Sequence, residues 1–179
     1  MRVHPTLAHV TAAALTPAIA AYIRWQRNAL VVQAGALDRE SQRRLALYFS
    51  AEALSEVRVA MTDGDVVPDL PFSGALRRVG ISYPCTSALA GITLEDVIAM
   101  KPSLPGYVLF HELVHVVQFR LLGVGRFSFL YARGLLATGA YERIPLEVCA
   151  YELEERFQCS GEPFSVEAEV LAWHRDGRF

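Results

Sequence analysis

The chain has 179 residues, of which 53% are hydrophobic, and its formal net charge is −2 at pH 7. This length suits one domain with a sizeable core, and we expect a single domain over residues 1–179. The near-neutral charge gives no basic surface of the kind that binds nucleic acid, so we expect no nucleic-acid partner.

The N-terminal segment is apolar and rich in alanine, and residues 8–35 predict a helix. Its most apolar stretch, Val10–Ile23, has 14 residues and contains Pro17, whereas a membrane-spanning helix needs about 20. Met1 and Arg2 form a weak basic start for a secretory signal. We therefore expect a cytoplasmic protein without membrane contact; the alternatives are export and membrane association through this segment.

The next segments predict one more helix and then a small sheet. Residues 36–54 are amphipathic, with a charged outer face, and predict a helix. Short β-branched segments follow. The predicted strands are 57–62, 79–83, 92–94 and 97–100, with a loop over 66–78 and a hairpin turn at Glu95 and Asp96.

Helix start and stop signals predict three further helices after the sheet. Pro105 and Pro145 each suit a first helical turn, and glycines end the first two helices. The predicted ranges are 105–122, 126–138 and 145–158. Helices, a small sheet and then helices again indicate an α+β fold. Its predicted parts are an N-terminal helical segment (1–56), a core (57–158) and a C-terminal tail (159–179).

The stretch LFHELVHVVQF, residues 109–119, is apolar apart from four polar side chains. At about 100° per residue, these four share one arc of the helix: His111, Glu112, His115 and Gln118. A helix that is apolar nearly all round is a buried helix. Because buried polar groups are costly unless they are satisfied, this arc must face a partner, a cavity or a metal.

His111, Glu112 and His115 form the arrangement HExxH. Two imidazoles one turn apart can bind one tetrahedral zinc ion, and the glutamate between them reaches the water that zinc activates. Zinc lowers the pKa of that water, so Glu112 would take its proton and pass it to the leaving amine. The alternative is a pair of core histidines bonded to backbone, which leaves the glutamate unexplained.

A catalytic zinc site needs a third protein ligand and keeps one position open. No histidine follows at the spacing of HExxHxxGxxH, so a carboxylate from the later segment IPLEVCAYELEERF (144–157) is expected. Glu147 is our first choice because it lies behind Pro145 in the first helical turn, where anions are favoured. Glu154 lies on the same flank of this helix and is the alternative ligand. Glu147 has an alternative role of its own, which is to complement the helix dipole.

Three cysteines are widely spaced: Cys85, Cys149 and Cys159. They form no CxxC pair, which argues against a zinc ribbon and a disulfide framework. We expect buried or free thiols in a reducing compartment. Cys149 faces the core side of its helix, and Cys159, just past the helix end, is a less favoured ligand than the glutamates.

Three tyrosines are candidate donors to a developing oxyanion: Tyr131, Tyr141 and Tyr151. Tyr141 and Tyr151 flank Glu147 and are the preferred pair, whereas the alternative for each is packing in the core. Gln118 is expected to support the site or pack against it rather than bind the metal.

Three segments carry a resemblance to a known group of proteins: GITLEDVIAM (91–100), LFHELVHVVQ (109–118) and IPLEVCAYELEERF (144–157). Over roughly residues 57–158 the chain resembles small bacterial HExxH proteins of gluzincin type. It is similar to the metallopeptidase domain found alone and near extracellular contractile injection systems. Leu113, Val114 and Phe119 are more apolar than the residues such domains often have, which leaves the metal positions intact.

The resemblance implies a zincin-like fold, in which a small twisted sheet lies over an active-site helix and a following helix carries the third ligand. It implies that His111, His115 and Glu147 are metal ligands and that Glu112 is the general base. It further implies that an extended peptide pairs with the edge strand near residues 92–100.

These observations predict a zinc-dependent metallopeptidase, a hydrolase that acts on a peptide or protein substrate. The alternative is a zincin-fold module that keeps zinc for stability or partner binding and performs no catalysis. A further alternative is a protein that associates with membranes through its N-terminal helices.

Overall fold

The fold is given by a computed structural model that describes residues 4–63, 74, 78, 89–160 and 162–179. The predicted strand 79–83, Cys85 and most of the predicted loop 66–78 lie outside these residues.

Six α-helices lie wholly within the described residues, and three of them begin and end near the predicted positions. They are α1 (Pro5–Val31), α2 (Arg39–Leu45), α3 (Ala51–Glu56), α4 (Gly106–Thr138), α5 (Pro145–Cys159) and α6 (Val166–Arg175). A 3-10 helix, Tyr141–Arg143, connects α4 to α5. Together with a small sheet, these helices confirm the predicted α+β class.

Two departures from the prediction have local causes. The single helix predicted over 36–54 is wrong, because α2 and α3 divide this segment. Ser50 is extended (φ −64°, ψ 151°), and its hydroxyl accepts a hydrogen bond from the Ala53 amide, so a new helix begins there. The segment 159–179, predicted as a tail, contains α6, which Ser165 caps in the same way.

Within the part of the chain that the structure describes, four short strands form a mixed sheet in the order β1-β2-β4-β3. They are β1 (Gly35–Ala36), β2 (Arg58–Met61), β3 (Gly91–Leu94) and β4 (Val97–Met100). β3 and β4 form the predicted antiparallel hairpin, with Glu95 in its turn at a φ of 61°, and β2 pairs with β4 in parallel. β4 is buried along its whole length, whereas β3 lies at one end of the sheet.

The helix α4 changes direction at Gly123, where φ is 71° and ψ is 158°. This conformation is readily available only to glycine, so the predicted break at this position is confirmed. We call residues 106–122 the first arm and residues 124–138 the second arm. Every residue from Leu109 to Phe119 is buried, as expected for a helix that is apolar nearly all round.

The helix α1 packs along α4 and against the sheet. Among the described residues, α1 and α4 are long and apolar enough to cross a membrane by length and composition alone. α1 has 27 residues and therefore extends beyond the 14-residue apolar stretch Val10–Ile23 on which the sequence prediction rested. In the most apolar window of each helix, 28% of α1 and 67% of α4 is buried. The burial of α4 is that of a core helix, whereas α1 leaves much of its surface exposed.

The second arm approaches the start of α5 closely at Gly134. A Cβ added at this glycine would lie 2.8 Å from Cδ of Pro145 and 3.1 Å from Cγ2 of Ile144. Ile144 is fully buried and has little room to yield. This contact therefore fixes the position of the first turn of α5, which carries Glu147.

Replacing Gly134 with alanine is expected to destabilise the fold by about 1–3 kcal/mol, because the new methyl group overpacks a filled core. Gly125 is the matched control on the same helix, since a Cβ there meets nothing within 4 Å. Gly125→Ala should be neutral or stabilising by up to about 1 kcal/mol. Urea unfolding measures both variants, and equal free energies of unfolding would contradict the packing described here.

Candidate metal centre

Two helices bring three ligand-type side chains together. His111 and His115 project from the first arm of α4, and Glu147 projects from the first turn of α5. The two histidine Nε2 atoms lie 3.2 Å apart. Oε2 of Glu147 lies 3.5 Å from His111 Nε2 and 3.4 Å from His115 Nε2. We call these three buried residues the His/His/Glu cluster.

The spacing within the His/His/Glu cluster fits a single metal ion. Two donor atoms bound at about 2.0–2.1 Å to a tetrahedral zinc ion stand about 3.3 Å apart. The three observed distances of 3.2, 3.4 and 3.5 Å bracket this value. Oε2 of Glu147 is buried and has no hydrogen-bond partner among the described residues. A buried carboxylate oxygen is costly without a partner, and a cation held between the three atoms would satisfy it.

Hydrogen bonds on the far side of each imidazole fix its orientation. Nδ1 of His111 lies 2.9 Å from Oε2 of Glu154, and because an ionised carboxylate only accepts, Nδ1 donates. Nδ1 of His115 lies 2.8 Å from Oε1 of Gln118, whose Nε2 donates to the carbonyl oxygen of Leu146 at 3.0 Å. The amide oxygen of Gln118 therefore accepts from His115. Both histidines carry a proton on Nδ1, so Nε2 is the nitrogen that each presents to a metal.

The two glutamates considered as third ligand occupy different places. Glu147 joins the two histidines in the cluster, whereas Glu154 contacts the outer nitrogen of His111. Gln118 contacts His115 in the same way, which is the supporting position expected for it. Cys149 is buried and Cys159 is exposed, and neither belongs to the cluster.

Burial and charge act against each other on the ionisation of the cluster. Burial opposes the charged form of Glu147, but the two imidazoles outweigh it and lower the pKa of Glu147 to about 2. Burial likewise opposes the charged form of His111, but Glu147 and Glu154 outweigh it and raise the pKa of His111 to about 10. Without a metal, His111 therefore holds an additional proton at neutral pH.

The affinity for zinc is expected to rise with pH. The metal and the additional His111 proton compete for Nε2, and the proton stays bound below about pH 10. Each unit of rising pH should therefore lower the apparent Kd for zinc about tenfold while one proton is displaced. Competition titrations against a chromophoric chelator at pH 6, 7 and 8 measure this dependence. An apparent Kd that is the same at pH 6 and pH 8 would contradict a protonated cluster.

Glu112 lies beside the cluster and faces β3. Its Oε2 is 2.7 Å from the hydroxyl of Thr93, which also lies 2.9 Å from the carbonyl oxygen of Glu112. Gly91 leaves space for the carboxylate, since a Cβ there would lie 3.0 Å from Oε1. Burial raises the pKa of Glu112, while the imidazoles of His115 and His111 oppose this rise. A raised pKa suits a group that both takes and returns a proton near neutral pH.

The two preferred tyrosines differ in burial and in their neighbours. Tyr141, in the 3-10 helix, lines a cavity next to the cluster, and so does Tyr131. Burial raises the pKa of Tyr141 well above its usual value, so the hydroxyl, already protonated at neutral pH, is harder still to ionise. Tyr151 is 42% exposed, and its ring centroid lies 4.6 Å from that of His111. Burial raises the pKa of Tyr151 to about 12, so both phenols can donate hydrogen bonds.

Sequence reasoning did not identify Thr93 and Gly91, the residues of β3 that contact Glu112. One signal was present, because Thr93 is a polar residue in a strand that is otherwise glycine and aliphatic residues. Its hydroxyl is buried and hydrogen-bonded to Glu112. The pairing depends on how the strand packs against the first arm of α4, and the linear sequence does not state that contact.

Comparison of this chain with protein-family models, with curated proteins and with solved structures gives no match. The described residues bring together two imidazoles and one carboxylate in a buried group that could hold a metal ion.

Proposed function

We propose that this protein is a zinc-dependent metallopeptidase with a zincin-like fold. The observation that carries the proposal is the convergence of His111 Nε2, His115 Nε2 and Glu147 Oε2 within 3.2–3.5 Å of one another. Two histidines and one glutamate form a donor set used by catalytic zinc sites, which keep a further position open. Glu112, on the same helical arc, supplies the base that such a site needs.

Each residue of the site would have a separate task. The zinc ion would be held by His111, His115 and Glu147. When bound, it would act as a Lewis acid and lower the pKa of water. Glu112 would take a proton from the attacking water, hold it in a buried carboxyl group and pass it to the leaving amine. The Thr93 hydroxyl would keep that carboxyl group oriented.

The tyrosine hydroxyls would assist by donating hydrogen bonds. A phenol near the reacting carbonyl stabilises the oxygen that gains negative charge during hydrolysis. Tyr141 would approach this oxygen from the cavity, and Tyr151 would approach it from the exposed side of His111. Both are protonated at neutral pH, as a phenol is at its ordinary pKa, and burial raises the pKa of each hydroxyl further.

The strand β3 supports a peptide as the substrate. It pairs with β4 on one side, and no strand among the described residues pairs with its other side. An extended peptide can add to such an edge through backbone hydrogen bonds. Because Thr93 of β3 contacts Glu112, a peptide lying along this strand would pass close to the general base.

A zincin-like arrangement is supported by the order of elements around the site. A small sheet with an edge strand precedes the helix that carries HExxH, and a later helix provides the glutamate. These three features are the ones that the sequence resemblance implies.

The proposal is tested by incubating the zinc-loaded chain with a peptide library derived from a bacterial proteome and identifying new termini by mass spectrometry. We expect cleavage by the wild type, no cleavage after removal of metal by a chelator, and recovery on adding zinc. If the zinc-loaded chain produces no new termini while it retains zinc, the peptidase proposal is wrong and the non-catalytic zinc module is favoured.

A further inference from the structure

An apolar cavity of about 100 Å³ adjoins the His/His/Glu cluster. It lies between α1, β3 and both arms of α4, and Glu112, His115 and Glu147 form part of its wall. Most of the remaining wall is aliphatic or aromatic, including Leu15, Ile19, Ile23, Phe127, Leu135 and Leu136. A chemical group placed in this cavity would therefore lie next to two of the three cluster residues and to Glu112.

The wall selects against charge. Among the described residues, the ionisable ones that line the cavity are Glu112, His115 and Glu147 of the site itself and three tyrosines, and none is a lysine or arginine. A charged substrate side chain would lose its hydration and find no separate counter-ion. An apolar side chain gains free energy on leaving water for the same space. Apolar pockets with a few placed polar groups are typical ligand sites.

The volume of the cavity limits the size of the group. An apolar protein cavity of about 150 Å³ holds one benzene molecule. The cavity here, at about 100 Å³, is smaller and fits a branched group of three or four carbon atoms. The side chains of valine, leucine and isoleucine have this size, whereas the rings of phenylalanine and tryptophan are too large.

We propose that this cavity binds a branched aliphatic side chain of the substrate, next to the bond that is cut, and that α1 forms its specificity wall. The part of this inference that concerns a cut bond rests on the proposed peptidase function. The preference for an aliphatic group rests on the cavity alone. Ile19 and Ile23 of α1 line the cavity together with Leu135 and Leu136 of α4, so the side chains of α1 help to set how large a group fits.

Amino-acid hydroxamates test the inference without requiring catalysis, because the hydroxamate group binds zinc and the side chain can then enter the cavity. We would measure the binding of alanine, leucine and phenylalanine hydroxamates to the zinc-loaded full chain by calorimetry. Leucine hydroxamate should bind more tightly than alanine hydroxamate by on the order of 50-fold, from three additional buried carbon atoms. Phenylalanine hydroxamate should bind less tightly than leucine hydroxamate.

Two variants change the cavity in opposite directions. Ile19→Ala enlarges it from α1 and should shift the preference towards phenylalanine hydroxamate by about tenfold. Ala132→Leu fills it from the second arm and should abolish the preference for leucine over alanine. Val10→Ala on the exposed side of α1 and Ala137→Leu outside the cavity wall are the matched controls and should leave the preferences unchanged.

The outcomes separate this inference from the proposed function. If the wild type cuts no peptide but prefers leucine hydroxamate, the peptidase proposal is wrong and the proposed aliphatic preference of the cavity is supported. If the wild type cuts peptides but binds all three hydroxamates equally, the peptidase proposal is supported and the proposed aliphatic preference of the cavity is wrong. If Ile19→Ala fails to fold, Ala132→Leu decides, and an unchanged leucine preference in that variant overturns the inference.

Discussion

Replacing Glu112 with glutamine is expected to lower kcat for peptide hydrolysis by about 10²- to 10⁴-fold, the usual contribution of a general base. Glutamine has nearly the same shape as glutamate but cannot accept the proton of the attacking water. Oε2 of Glu112 already accepts from Thr93 at 2.7 Å, so the amide oxygen of the variant can keep this contact. Zinc content, measured by elemental analysis, should stay at one ion per chain.

Glu155→Gln is the control for this experiment, because it makes the same chemical change at an exposed position of α5. It should keep wild-type kcat and wild-type zinc. A Glu112→Gln variant that retains zinc and hydrolyses peptides at the wild-type rate would show that another group acts as the base. A biological phenotype that does not depend on Glu112 would favour the non-catalytic module.

Replacing Glu147 with glutamine is expected to remove the metal, and Glu154→Gln is expected only to weaken its binding. Glu147 provides Oε2 at 3.4–3.5 Å from both Nε2 atoms, whereas Glu154 accepts from Nδ1 of His111 at 2.9 Å. Loss of such a supporting hydrogen bond typically costs about 10- to 100-fold in metal affinity. Zinc titrations followed by a competing chelator distinguish the two variants.

Thermal unfolding provides a second measure of the same difference. At a zinc concentration about 1,000 times Kd, bound metal stabilises the fold by about 4 kcal/mol. The Tm of the wild type should therefore rise on adding zinc, that of Glu154→Gln should rise less, and that of Glu147→Gln should not change. A larger loss of affinity in Glu154→Gln than in Glu147→Gln would reverse the assignment of ligand and supporting residue.

The buried helix with HExxH and the start of α5 could be predicted, because the helical periodicity and the types of polar residue indicate the same arrangement there. The first arm of α4 is apolar nearly all round, and its four polar groups share one arc, which is enough to predict a buried helix with a polar site. Pro145 marks the start of α5, and the helical periodicity places Glu147 and Glu154 on one flank. Both glutamates contact the histidines of HExxH, one from each side of the imidazole of His111.

Other features depend on contacts between distant segments. The division of residues 36–54 into α2 and α3 rests on a hydroxyl cap at Ser50, which the amphipathic pattern does not reveal. The roles of Gly91 and Thr93 depend on the packing of β3 against α4. The contribution of α1 to the cavity wall depends on how α1 packs along α4, and these two helices are far apart in the sequence.

Anomalous diffraction would show whether His111, His115 and Glu147 hold one zinc ion. Crystals grown with zinc would be measured on both sides of the zinc absorption edge. We expect one anomalous peak per chain, about 2.0–2.1 Å from Nε2 of each histidine and from Oε2 of Glu147. A map without a peak at this position, or with zinc bound by Glu154 in place of Glu147, would contradict it.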